Sequence, residues 1–95
     1  MKRIETLASL VDKDAYVLDI GTDHAYLPIY LYKNNITKSI VGSDISKNAL
    51  EYAKTNLVKY GLENKIKLIV SDGFKNIHET FDIAIISGVG TQTLK

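Results

Sequence analysis

Four short apolar runs, each the length of a strand and separated by stretches of helical periodicity, constrain this chain more than any other feature. Tyr16-Val17-Leu18-Asp19-Ile20 is the first and stops at Gly21. Ser39-Ile40-Val41-Gly42-Ser43-Asp44 is the second, Ile66 to Val70 the third, and Phe81 to Ile86 the fourth. Ahead of them, Ile4, Leu7, Ala8 and Val11 recur at the spacing of an amphipathic helix. A second helix is predicted from about Ala25 to Lys33, where Pro28 is tolerable only in the first turn. Ser46 is a good N-cap for a third helix that buries Ala49, Leu50, Ala53 and Leu57, and Gly61 stands where a helix-ending glycine belongs. The stretch around Phe74 to His78 reads as a short helix or a loop. Strands alternating with helices demand right-handed crossovers and a parallel sheet covered on both faces. The expected fold is therefore α/β, with about four parallel strands in doubly wound order. The whole of 1–95 forms one domain. The last run ends nine residues before Lys95, and complete folds of this class carry more strands, so a truncated domain is expected. Its open sheet edge would favour self-association.

Composition narrows the function classes. The longest apolar runs, such as Ile83 to Ile86, are far too short to cross a bilayer, and Met1-Lys2-Arg3 leads into an amphipathic pattern rather than a signal-peptide core. The absence of cysteine rules out disulfides, zinc-thiolate sites and a cysteine nucleophile, and no metal site is expected. A cytoplasmic location is the default. Net charge is +1, and the lysines are scattered from Lys33 to Lys67 rather than clustered. Charge alone therefore does not call for a polyanion partner.

An open parallel sheet binds ligands beyond the carboxyl ends of its strands, so the strand ends are where site residues belong. After the first run, Asp19-Ile20-Gly21-Thr22-Asp23-His24-Ala25 lacks the G-x-G-x-x-G of nicotinamide-binding folds; only Gly21 is present. What remains is D-x-G, with Asp23 where methyltransferases usually carry their second glycine and Ala25 at the third. A carboxylate at Asp23 would repel a pyrophosphate but suits the ammonium or sulfonium of S-adenosylmethionine. Asp19 reads either as part of that loop or as an acid capping loop amides. Asp44, 25 residues beyond Asp19, ends the second run, where an acid can accept both hydroxyls of a ribose. The alternative is a carboxylate stabilised by the following helix. Asp72-Gly73 after the third run can take the amino group of adenine, or be an ordinary Asp-Gly turn. Ser87-Gly88-Val89-Gly90-Thr91 follows the fourth run, and its two glycines would let a methyl acceptor approach the backbone.

Val17-Leu18-Asp19-Ile20-Gly21-Thr22-Asp23-His24-Ala25-Tyr26-Leu27-Pro28, preceded by the Arg3-Ile4…Leu7-Ala8…Val11 helix, resembles the bacterial tRNA (adenine-N1)-methyltransferase family, often called TrmK. The resemblance covers essentially the whole chain. It implies a Rossmann-like class I methyltransferase fold, of which this chain is the N-terminal cofactor-binding half. The implied cofactor is S-adenosyl-L-methionine, and the implied activity is methylation of N1 of adenine 22 in tRNA. By position, Gly21, Asp23 and His24 carry over as cofactor-loop residues, Asp44 as the ribose acid, and Asp72 with Gly73 as the adenine side; Asp19 and Gly88, at the first and fourth strand ends, complete the expected cofactor-binding set. Ser87-Gly88-Val89-Gly90-Thr91 departs from the family's A-G-M-G-G, and the family's helical C-terminal domain is absent.

Methyl transfer to N1 is an in-line displacement in which orientation does most of the work, and the base must leave its pairing to be reached. Asp23 and His24 are the weak catalytic candidates. Asp23 can stabilise the methylated cation or position cofactor, while His24 can orient the base or bond loop backbone. Tyr26 and Tyr30 share a helical face that either stacks on a base or packs in the core. His78 is expected at the surface. Two other classes stay open: a non-catalytic module that binds a nucleoside or S-adenosylmethionine, and a nicotinamide-dependent oxidoreductase.

Overall fold

A computed structural model describes residues 2–87 and 92–94. Helix α1 spans Lys2–Ala8, α2 Tyr26–Lys33 and α3 Lys47–Lys59. The strands are β1 (Val17–Ile20), β2 (Ile40–Asp44), β3 (Lys67–Val70), β4 (Ile83–Ile86) and β5 (Gln92–Leu94). They form one sheet in the order β3-β2-β1-β4-β5. The first four are parallel, as the alternation of strand and helix requires, and β5 runs antiparallel beside β4. That fifth strand has no signature in the sequence. At three residues it is too short to show a period, and it exists by pairing with β4 rather than by local preference.

The core lies between the sheet and the helices. Leu27, Ile29 and Leu31 of α2 join Leu50, Ala53 and Leu57 of α3 and the strand residues Val17, Ile40, Ile83 and Ile85. Ala49, expected in this set, is only half-buried. Both ends of α3 follow from its sequence. The Ser46 hydroxyl accepts from the Ala49 amide at 3.1 Å. At the other end Gly61 takes φ +71°, while the amides of Leu62 and Gly61 donate to the carbonyls of Leu57 and Val58, a Schellman closure with Leu62 buried behind it.

Residues Phe74 to His78 form turns rather than a helix. The Ser71 hydroxyl accepts from the Asn76 amide at 3.1 Å, and the Asn76 side chain donates to the Val70 carbonyl at 3.0 Å. Side chains thus take the partners that a helix would need.

Register aligns the strand ends. Ile20 lies beside Ser43 and Ile86, and Asp44 beside Val70. Backbone bonds extend this edge one residue further, from Thr22 to Ser43, Ser71 to Asp44 and Ser87 to Ile20. Four chain segments therefore leave the sheet together, on either side of β1, where the winding reverses. No helix among the described residues is long and apolar enough to cross a membrane.

Candidate functional site

The segment joining β1 to α2 is bent sharply by its backbone. Gly21, Asp23 and Ala25 all take positive φ, at 70°, 54° and 61°. A left-handed conformation costs an ordinary residue about 1–2 kcal/mol, so two of the three positions are held against local preference. What holds them is visible. The Asp23 amide donates to Asp44 Oδ2 at 3.1 Å, Thr22 bonds the end of β2, and Ala25 is wholly buried.

Asp44 is fixed from both sides. Its Oδ1 accepts from the Ser46 amide at 3.0 Å while Oδ2 accepts from Asp23. An ionised carboxylate has about four acceptor positions, so each oxygen keeps one for a ligand. Around it lies a cleft of about 440 Å³, lined among others by Gly21, Asp23, Asp44, Ile45, Asp72 and Gly73. This volume is within the range of small-molecule sites, roughly 300–1,000 Å³. A larger concavity of about 530 Å³ runs along α1 and α2 but contains no strand end. The smaller cleft is the better candidate, because it collects the ends of β1, β2, β3 and β4 where open parallel sheets bind ligands.

Five of the expected site residues thus meet in one place: Gly21, Asp23, Asp44, Asp72 and Gly73. The Asp72 carboxylate is well exposed and 3.5 Å from Lys75 Nζ. Asp19 is placed differently. It is fully buried beneath the loop and does not line the cleft. Ser87 Oγ donates to its Oδ1 at 2.5 Å, whereas Oδ2 has no hydrogen-bond partner among the described residues. Burial pushes the Asp19 carboxyl from 3.8 up to about 7, against the opposing pull of the Ser87 hydrogen bond. Arg3 donates to the Ser87 carbonyl, so α1, β1 and the end of β4 are tied at one point.

His24 also lies outside the cleft lining. Its Nδ1 is 3.1 Å from Asp23 Oδ2, and its ring stacks on Tyr26 and Tyr52 at centroid distances of 5.3 and 5.4 Å. The backbone of His24 is held by Asn56, whose amide group donates to its carbonyl at 2.8 Å. Gly88 lies outside the described residues, with Val89, Gly90 and Thr91. His78 is exposed, as expected.

One cleft residue, Ile45, has no motif in the sequence to mark it. Ile45 is 68% exposed and lines the cleft beside Asp44. An isoleucine between a strand-end acid and a helix N-cap has no core to join, and that was the available signal. Ser71 shapes the β3 end by donating from its hydroxyl to the Gly73 carbonyl at 2.8 Å.

Comparison with known proteins places this geometry. A family described as methyltransferase domain matches residues 1–95. A provisionally named tRNA methyltransferase of Mycoplasma genitalium is 47% identical over 94 residues, covering 94% of this chain and 42% of that protein. The tRNA (adenine(22)-N(1))-methyltransferase of Bacillus subtilis is 33% identical over 90 residues, covering 94% of this chain and 38% of its own length. Among solved structures, Mycoplasma capricolum TrmK in complex with S-adenosyl-homocysteine superimposes with a TM-score of 0.83 at 38% identity, over 90% of this chain and 40% of that one. A Streptococcus pneumoniae protein in complex with S-adenosyl-L-methionine gives 0.84 at 34% identity, over 93% and 42%. The chain thus spans about two fifths of the length of these relatives.

Proposed function

Because this chain belongs to the methyltransferase domain family, we propose that its strand-end cleft holds S-adenosylmethionine and serves methyl transfer to N1 of an adenine in tRNA. One observation carries the reading: the Asp44 carboxylate, pinned by two backbone amides at the cleft with acceptor capacity to spare. A rigid carboxylate at the end of the second strand suits the two hydroxyls of a ribose. The group fits elsewhere too. Gly21, at φ 70°, lets a ligand lie close to the loop backbone, and exposed Ile45 offers an apolar face to an adenine ring. Asp72 and Gly73 stand where the adenine edge would end, and Asp23 offers a negative charge toward an ammonium or sulfonium.

S-adenosylmethionine supplies the electrophilic methyl group. The chain's own residues bind and orient. Asp44 would hold the ribose and the β1–α2 loop would hold the amino-acid end, while the Ser87–Asp19 bond ties the end of β4 to the end of β1. Asp19 and His24 support this frame from outside the cleft. A cytoplasmic location accords with this reading. The acceptor assignment rests on the tRNA methyltransferases among the relatives.

The test is a chimera in which this chain replaces its aligned segment of the Bacillus subtilis enzyme. Incubated with S-adenosylmethionine and an unmodified tRNA transcript, it is expected to create a primer-extension stop, because a methyl group at N1 blocks Watson–Crick pairing. A folded chimera that binds S-adenosyl-homocysteine yet methylates another atom, or nothing, contradicts the acceptor assignment.

A further inference from the structure

The large concavity along α1 and α2 neighbours the cleft, with one smaller cavity between them. Gly21 and Asp23 line both the cleft and a smaller cavity of about 170 Å³ that reaches Arg3 and Ser87. Ile4 and Tyr26 line both that cavity and the 530 Å³ groove. The three hollows are therefore neighbours with shared walls, ranged from the strand ends to the face of α2.

The walls of the groove are unusual for a surface left to water. Tyr26, Tyr30 and Lys33 follow one another at positions i, i+4 and i+7 on one face of α2, and Tyr60 at the end of α3 closes the far side. Lys33 Nζ sits 4.7 Å from the centre of the Tyr60 ring, with Lys59 Nζ at 5.6 Å on the same ring. No carboxylate is among the described residues that line the groove. Tyr26 is 48% exposed and already stacks on His24, so its ring extends an aromatic ledge at the junction with the cleft.

We infer that this groove receives unpaired RNA nucleotides next to the one presented to the cleft, an inference that rests on the methyltransferase reading. Aromatic rings accept bases by stacking without regard to sequence, and lysines at their edges take the phosphates between them. Besides Ile4 and Ile29, the lining is three tyrosine rings, an asparagine and a lysine, a set that matches a polyanion with flat bases. The arrangement also answers a question of chain direction. A base drawn out of its stack leaves neighbours whose backbone must run somewhere, and the groove shares walls with the small cavity.

The test is fluorescence anisotropy of a labelled eight-nucleotide single-stranded RNA and of an unmodified tRNA transcript, at several salt concentrations. Lys33→Ala should weaken binding several-fold and lower the salt slope by about 0.7, the share of one phosphate contact on a single strand. Tyr60→Leu, which keeps apolar bulk but removes the ring, should weaken binding by about ten-fold with the salt slope unchanged. Lys65→Ala, an exposed lysine away from the groove, should do neither. S-adenosyl-homocysteine, titrated into every variant, should bind each as it binds the parent chain, which also reports that each is folded. RNA affinity unchanged in Lys33→Ala and Tyr60→Leu, with the cofactor product still bound, overturns the groove and leaves the cleft reading standing. Failure of the parent chain to bind the cofactor product would instead remove the reading on which the groove depends. Equal losses in Lys65→Ala and Lys33→Ala would reduce the effect to net charge and also overturn the inference.

Discussion

Replacing Asp19 by Asn separates burial from charge at the foundation of the site. The native carboxyl is fully buried, with one oxygen bonded to Ser87 and the other without a hydrogen-bond partner among the described residues, and its pKa rises from 3.8 to about 7. The sign follows from proton binding. Between these two values the folded chain keeps a proton that the unfolded chain has released. The contribution of Asp19 is therefore fully present below about pH 4, declines as pH rises, and is lost once pH passes 7. A shift of about 3 units at 1.36 kcal/mol each amounts to about 4 kcal/mol across that window, or about 1.4 kcal/mol per pH unit. Asn is neutral throughout and keeps an oxygen to accept from Ser87. Urea unfolding of both chains from pH 4.5 to 8 measures the difference directly. Stability of the native chain relative to Asp19→Asn should fall by about 1.4 kcal/mol per unit up to pH 6.5 and level off above 7. Parallel curves would refute the reasoning, since they would mean that the carboxyl is not desolvated in the folded state.

Gly42→Ala tests the close approach of β2 to the loop. A Cβ there would lie 3.1 Å from Thr22 Oγ1 and 3.1 Å from Leu68 Cδ2, so these side chains must give by a few tenths of an ångström; with Thr22 buried, the expected cost is about 1–3 kcal/mol in chemical denaturation, with weaker S-adenosyl-homocysteine binding. Ser46→Ala removes the hydroxyl that accepts from Ala49 at 3.1 Å and should cost about 1 kcal/mol in the same measurement. The backbone amide that Ser46 lends to Asp44 survives that change, so cofactor-product affinity should be retained.

The parts of the fold legible in the sequence are those with local causes. The α3 helix carries Ser46 at one end and Gly61 at the other, and both act as helix signals should. The runs ending at Ile20, Asp44, Val70 and Ile86 gave four strands whose ends agree with the structure, because parallel buried strands are continuous apolar segments. Asp44 could be singled out because a strand-end acid has few other uses. The illegible parts are long-range. Asp23 and Ala25 adopt the backbone that glycine would make easy, and nothing in their own chemistry announces it; β2 and α3 impose it. The Ser87–Asp19 bond joins residues 68 apart, so Asp19 looked like a cleft residue when it is a support beneath one. His24 is likewise turned toward Tyr26 and Tyr52, a pairing between the loop and α3 that no spacing reveals. The groove faces the same limit, since Ile4, Tyr30 and Tyr60 meet only once three helices have packed.

The most direct test of the cofactor cleft is calorimetric titration of S-adenosyl-homocysteine into this chain and into Asp44→Ala. Each hydrogen bond to a charged acceptor contributes about 1.5–3 kcal/mol, so loss of the carboxylate should weaken binding by at least about ten-fold. Saturable binding by the parent chain, with that loss in the variant, is the expected result. Equal binding by a folded Asp44→Ala chain, or none by the parent, would contradict the assignment of the cleft.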